Sequence, residues 1–209
     1  PIVEGDGRRV LLGNGEIYNY VELRNQYADY PYRSVGDMET ILPIVARRGD
    51  EFVHELNGIY SLALYERTEH RLRLVRDRLG VKPLYWAKVD GGGILFASEI
   101  KAIFASGLVT PAVDETAVNA YLAHGYVPAP QTLFRRINKL PPRHILRADA
   151  TGRIDVECYW RPSPATDAPP DAQGFREQLT ELLRDSVRLQ LRSDVPIGAL
   201  LSGGIDSGL

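Results

Sequence analysis

Apolar residues fall into short runs over the first 160 positions and into helical spacing near the end of the chain. Arg9-Val10-Leu11-Leu12 leads into Gly13-Asn14-Gly15, which predicts a strand entering a tight turn, because Asn-Gly between apolar segments is the strongest short hairpin signal. Ile59-Tyr60-Ser61-Leu62-Ala63-Leu64-Tyr65 and Arg71-Leu72-Arg73-Leu74-Val75-Arg76 flank a charged connection at 66–70 and predict an antiparallel pair. Leu84-Tyr85-Trp86-Ala87 and Ile94-Leu95-Phe96-Ala97 predict a second pair around Val89-Asp90-Gly91-Gly92-Gly93. Four such strands imply an antiparallel sheet, and their near-continuous apolar character implies that both faces are covered.

Helical signals lie between and after these runs. Asn19 with Glu22 three residues on predicts a capping box, and Leu23 and Tyr27 supply an apolar side. Asp37 is placed to cap a helix with Ile41, Leu42 and Val45, which Pro43 should kink or shift. Ser98 is expected to cap 99–106, with Ile100, Ile103 and Phe104 inward and Gly107 at its end. Asp114 precedes a helix over 116–124 that Gly125 stops, with Val118, Tyr121 and Leu122 as its buried stripe. Residues 137–140, 144–146 and 156–160 read as extended. Proline-rich 161–170 reads as a linker. Beyond it Phe175, Leu179, Leu182, Leu183 and Val187 recur at helical spacing, and 195–201 predict an apolar strand running into Ser202-Gly203-Gly204-Ile205-Asp206-Ser207.

Composition narrows the class. The 209 residues carry 25 Lys+Arg and 27 Asp+Glu, a net charge of −2, with no basic excess to neutralise a row of phosphates, so no nucleic-acid partner is expected. No apolar run reaches membrane-span length, and no membrane partner is expected. The single cysteine, Cys158, closes no intrachain disulfide and points to a reducing compartment, the cytoplasm. His54, His70, His124 and His144 lack metal-ligand spacing, so no metal ligands are assigned among them.

Two segments carry candidate chemistry. A helix, an apolar strand and a glycine-rich turn are how a nucleotide-binding α/β domain begins. In Ser202-Gly203-Gly204-Ile205-Asp206-Ser207 the glycines admit an anion, the amides and hydroxyls donate to phosphate, and Asp206 could orient the loop or approach magnesium. A plain strand-to-helix turn would tolerate the same residues. Gly13-Asn14-Gly15-Glu16 reads first as a turn; alternatively, the Asn14 amide and the Gly15 N–H would stabilise an oxyanion. Arg76, Asp77, Arg78 and Lys82 could frame an acidic ligand but read first as a local salt-bridge network. Tyr18, Tyr20, Tyr85, Trp86, Tyr121 and Tyr126 read as core or interdomain packing, and Cys158 as a packing residue.

In order, Asn14-Gly15-Glu16-Ile17-Tyr18-Asn19-Tyr20, Gly36-Asp37-Met38-Glu39-Thr40, Arg76-Asp77-Arg78-Leu79-Gly80-Val81-Lys82-Pro83-Leu84-Tyr85, Ala97-Ser98-Glu99-Ile100-Lys101, Gly125-Tyr126-Val127-Pro128, Tyr159-Trp160 and Leu201-Ser202-Gly203-Gly204-Ile205-Asp206-Ser207 resemble the glutamine-dependent asparagine synthetase family across almost the whole chain. The resemblance implies an α+β chain. Residues 1–160 would be an incomplete four-layer αββα glutaminase domain of the N-terminal-nucleophile type, 161–170 a linker, and 171–209 the first helix and strand of an α/β ATP-pyrophosphatase-like domain.

It further implies glutamine, aspartate and ATP as substrates, magnesium as a cofactor, and a β-aspartyl-AMP intermediate that ammonia converts to asparagine; a homodimer is compatible with it. Asn14 and Gly15 resemble the oxyanion-stabilising pair, and Glu16 and Asp37 the groups that recognise the glutamine α-amino end. Ser202, Gly203, Gly204, Asp206 and Ser207 resemble the ATP phosphate loop. The family's nucleophile is an N-terminal cysteine, whereas this sequence begins with Pro1 at a point inside the family's glutaminase domain. The segment alone is therefore expected to be inactive, as a piece of a longer enzyme. The alternative is a cysteine-free relative that adenylates a carboxylate to form an amide, a lactam or a peptide ring. A binding or structural protein would form no ATP-dependent product.

Overall fold

The computed structural model describes residues 1–164, 171–193 and 195–208, except the Asp206 side chain. The chain divides into two compact units, Pro1–Pro162 and Ser163–Leu209. Of the linker expected at 161–170, residues 165–170 lie outside the described residues.

The first unit is built on an antiparallel six-stranded sheet. In spatial order its strands are β1 (Ile2–Val3), β2 (Arg9–Ile17), β3 (Gly58–Glu66), β4 (Arg71–Arg76), β8 (His144–Ala148) and β9 (Ile154–Cys158). A second sheet holds β6 (Ile94–Ala97), β5 (Tyr85–Lys88) and β7 (Asn138–Lys139). Each strand pair expected from the sequence forms, but the two pairs lie in different sheets.

Strand alternation sorts the apolar residues into three interfaces. Tyr60, Leu62 and Leu64 of β3 pack under α1 (Tyr20–Gln26), α2 (Ile41–Arg48) and α3 (Phe52–Glu55). The intervening Ala63, with Leu74 and Leu146, meets Leu84, Trp86, Ile94 and Phe96 between the sheets. Ala87 and Leu95 on the far face of the small sheet pack against Ile100, Ile103 and Phe104 of α4 (Ile100–Ala105). Helix, sheet, sheet and helix thus stack as an αββα sandwich, and the three α-helical and sheet interfaces bury the apolar core.

Pro43 fits because it lies in the first turn of α2, where the first amides have no intrahelical partner. Helix α5 (Glu115–His124) forms as expected, with the Asp114 carboxylate accepting from Thr116 N at 3.0 Å and Gly125 closing it at φ +76°. Its expected inward stripe does not hold: Ala117 is buried, whereas Tyr121 and Leu122 are exposed. Asn19 also departs from its capping role. Its amide donates to Glu55 O and its Oδ1 accepts from Asn57 N, so it ties the start of α1 to the chain entering β3.

An ion ladder crosses the six-stranded sheet. Glu4 pairs with Arg9, Arg9 with Glu66, Glu66 with Arg73, Arg73 with Asp50, Asp50 with Arg147, and Arg147 with Glu157. Arg73 and Arg147 stand directly opposite each other on β4 and β8, a repulsive arrangement unless an anion lies between them. Asp50 supplies it, with its Oδ1 at 2.5 Å from Arg73 Nε and its Oδ2 on Arg147. Burial raises the Asp50 carboxyl, but the Arg147 and Arg73 guanidinium groups outweigh it and hold the group below the usual carboxylate range.

In the second unit, α6 (Ala172–Gln190) starts where the Asp171 carboxylate accepts from Gly174 N at 2.7 Å. The strand expected at 195–201 is absent among the described residues there, and α7 (Ile205–Gly208) follows. A run of apolar residues becomes a strand only when a neighbouring backbone pairs with it, and none among the described residues does.

The ladder yields a stability prediction. Replacing Asp50 by Asn should cost about 2 kcal/mol, because it leaves two facing guanidinium groups without their shared carboxylate. Asp50 is depressed in the folded state, so its contribution is present above its unfolded value and is lost as pH falls through the folded one. Urea denaturation of both proteins between about pH 7 and pH 3 checks this: the wild type should lose more stability on acidification than Asp50→Asn.

Candidate active site

The site is organised by β2, which pairs residue for residue with β3 from Arg9 opposite Glu66 to Ile17 opposite Gly58. The tight turn expected at Gly13-Asn14-Gly15 is therefore not formed; these residues lie inside a nine-residue strand. Their glycines serve close approach. A Cβ on Gly15, whose φ is +147°, would lie 1.9 Å from Ile59 O, and one on Gly58 would lie 2.2 Å from Glu16 O. A Cβ on Gly13 would meet Met38 Sδ at 2.7 Å. Signals that usually mark a turn here mark a place where backbones crowd.

Asp37 sits at the open edge of this strand. Its Oδ2 accepts from Ile17 N at 2.6 Å and its Oδ1 from Met38 N at 2.8 Å. Amide directions alternate along a strand, so the Gly15 N–H points to the same edge as Ile17 N–H, beyond the two residues of β2 that β1 covers. The expected cap at Asp37 is present, on a short 3-10 turn, Met38–Thr40, that leads into α2. The loop before it is pinned from both sides. Buried Glu39 accepts from Arg33 N, Ser34 N and Ser34 Oγ, while Arg24 donates to Ser34 O and Gly36 O and lies over the Tyr32 ring at 4.3 Å. Burial pushes the Glu39 carboxyl up, but the Ser34 hydroxyl and the two amides hold it below its ordinary range.

Asn14 and Glu16 point to the other face of β2 from Gly13 and Gly15. Both are exposed. The Asn14 amide donates to Ser98 Oγ at 3.2 Å and lines a cavity of about 220 Å³ with Ser61, Leu84, Phe96 and Ser98. Burial, with the charges of Glu16 and Asp77, raises the Tyr18 phenol. Asn14, Gly15, Glu16 and Asp37 are thus gathered along the last four residues of one strand, although the sequence separates Asp37 from the rest.

The Arg76, Asp77, Arg78 and Lys82 cluster is a backbone clamp, not the expected salt-bridge network. Asp77, 1% exposed, accepts from the amides of Tyr60, Leu79, Val81 and Lys82. Arg76 donates to the carbonyls of Gly80, Lys82 and Leu140, and its burial lowers its pKa. Arg78 reaches His54 O and the Trp160 ring instead. The available signal was a charged triplet followed by a glycine, Gly80, whose φ is +70°: a looped backbone needs donors and acceptors for its own polar groups.

The aromatic expectation holds for Tyr85 and Trp86, which pack against the cores. Tyr121 and Tyr126 are exposed and do not pack in the core. Cys158 is half-buried, with its Sγ donating to Trp160 O at 3.1 Å. No group of three or more metal-ligating side chains is present among the described residues, and no helix among them is long and apolar enough to cross a membrane.

In the second unit Ser202 Oγ and Ser207 Oγ lie 2.9 Å apart, Gly204 N donates to Ser202 Oγ, and Gly203 takes φ +76°. Hydroxyls and glycine amides are donors of the kind that a phosphate accepts. Asp206 lies in α7, and its side chain is outside the described residues.

The two-sheet αββα sandwich is the fold class of glutamine amidotransferase domains. Residues 1–160 match the glutamine amidotransferase domain family, and the chain belongs to it. Residues 178–209 match the asparagine synthase family.

Relatives match through both units. Asparagine synthetase B [glutamine-hydrolyzing] of Escherichia coli is 33% identical over 210 residues, covering 100% of this chain and 33% of that protein. Asparagine synthetase [glutamine-hydrolyzing] 1 of Bacillus subtilis is 30% identical over 211 residues, covering 99% of this chain and 33% of its own length. The chain therefore spans about a third of these relatives. The glutamine phosphoribosylpyrophosphate amidotransferase of B. subtilis shares the fold, at TM-score 0.54 and 15% identity, over 74% of this chain and 30% of that one.

Replacing Gly15 by Ala should destabilise the first unit by more than about 3 kcal/mol, or prevent its folding, because the added Cβ would meet backbone rather than a movable side chain. Circular dichroism and the denaturation midpoint of the variant check this; a midpoint equal to the wild type's would contradict the close approach.

Proposed function

We propose that the complete protein is a glutamine-dependent asparagine synthetase, in which the first unit releases ammonia from glutamine and the second begins the domain that amidates aspartate with ATP. The reading is carried by the succession, in one chain, of the glutamine amidotransferase match and the asparagine synthase match. The gathering of Asn14, Gly15, Glu16 and Asp37 along the end of β2 supports it. Attack on the glutamine carboxamide develops negative charge on its oxygen, which the Asn14 N–H and the Gly15 N–H would stabilise. Glu16 and Asp37 would accept from the glutamine ammonium. Both Asp37 oxygens already hold an amide, yet a carboxylate oxygen has a second lone pair.

The attacking thiolate would come from an N-terminal cysteine outside these 209 residues; Cys158, directed at the Trp160 carbonyl, has no part in the reaction. Ser202, Gly203, Gly204, Asp206 and Ser207 would hold the ATP phosphates, with magnesium supplying charge neutralisation as aspartate is adenylated to β-aspartyl-AMP. The cytoplasm, which keeps thiols reduced, suits this chemistry.

The test is to supply the full-length protein with ATP, magnesium, aspartate and ammonium and to measure asparagine and AMP together. Both should form; folded protein yielding neither rejects the reading, and AMP formed only with another carboxylate favours an adenylating ligase of different product. Asn14→Ala should lower glutamine-supported synthesis about 10²-fold while ammonia-supported synthesis is retained. Equal loss of the two would make Asn14 a structural residue.

A further inference from the structure

Ser98 departs from its sequence role in a way the fold explains. The serine precedes α4 and reads as its cap, yet α4 begins at Ile100 with Glu99 in the capping position and no side-chain cap bond. Its hydroxyl instead meets the Asn14 amide at 3.2 Å. Asn14 belongs to β2 of the six-stranded sheet, and Ser98 follows β6 of the three-stranded sheet. The bond therefore spans the two sheets at the rim of the cavity that both residues line.

We propose that Ser98 is a positioning residue for glutamine hydrolysis, a role that rests on the glutaminase reading above. A primary amide has two N–H groups and rotates readily about its last bond. An oxyanion donor helps only when it is aimed before charge develops, because reorientation during the reaction consumes the gain. Ser98 Oγ takes one N–H of Asn14 and fixes the amide plane, leaving the second N–H to be directed at the substrate oxygen. The bond also fixes which end of the amide faces Ser98, provided that the hydroxyl accepts. Its placement on the other sheet makes the aim of Asn14 depend on the spacing of the two sheets, which Phe96 and Leu84 set by packing between them.

The experiment measures steady-state glutamine hydrolysis and ammonia-supported synthesis by the full-length protein and its Ser98→Ala, Ser98→Thr and Ser98→Cys variants. Ser98→Ala should lower kcat for hydrolysis about tenfold, part of the effect of losing an oxyanion donor, with KM for glutamine changed less than about twofold. Ser98→Thr, which keeps the hydroxyl, should restore most of kcat, and Ser98→Cys, a weaker acceptor, should fall between. Combined with Asn14→Ala, Ser98→Ala should add no further loss. An unchanged kcat in Ser98→Ala overturns the proposal. Equal losses in Ala and Thr, or a parallel loss of ammonia-supported synthesis, overturn it in favour of a packing role. A wild-type protein that hydrolyses no glutamine removes the glutaminase reading itself, a result read on the unsubstituted protein and so distinct from failure of Ser98 alone. If Ser98→Ala does not fold, the Thr and Cys pair decides: equal kcat values overturn the proposal.

Discussion

The backbones of β2 and β3 approach so closely at Gly15 and Gly58 that neither position has room for a Cβ. That contact keeps β2 straight through a segment whose composition favours a turn, and it fixes the register over all nine residues. A shift of one residue would exchange the two faces of the strand. Asn14 and Glu16 would then face the helices, while Leu11 and Ile17, now buried beneath them, would face the second sheet. The chemistry assigned to this strand thus depends on two residues that lack side chains.

Charge is used around this strand to hold backbone more than to bind anything. Asp77, Glu39 and Asp37 accept chiefly from amides, and Arg76 and Arg24 donate to carbonyls. A buried carboxylate such as Asp77 or Glu39 needs donors where it sits, and looped backbone supplies several amides at once. The ladder through Asp50 works differently, placing an acid between two arginines that strand pairing has already brought face to face. These clamps hold the loop before Asp37 and the turn after β4, so the end of β2 is bounded by rigid segments on rigid elements.

Much of the element content was legible in the sequence. Short apolar runs located β3 to β6, and Asp114 with Gly125 bounded α5, because each signal acts within a few residues and needs no partner. The assignments that failed each turn on a group far along the chain, either competing for a bond or missing as a partner. Asn19 and Ser98 carry side chains suited to capping, but Glu55 and Asn14 offer them other bonds. Tyr121 and Leu122 have helical spacing, but spacing says only that they share a side, not that anything covers it. Residues 195–201 have strand composition without a paired backbone among the described residues.

The sequence by itself determined which segments are apolar enough to form sheets, where α5 begins and ends, and which short motifs are joined in one chain. Those depend on local propensity and on the order of residues. Only the tertiary structure decided that Gly13-Asn14-Gly15 is strand rather than turn, that Asp37 meets Ile17, and that Ser98 reaches across to Asn14. Each of these rests on a contact between residues far apart in the chain. The free energy that selects it comes from packing two sheets and four helices together, which no window of the sequence contains.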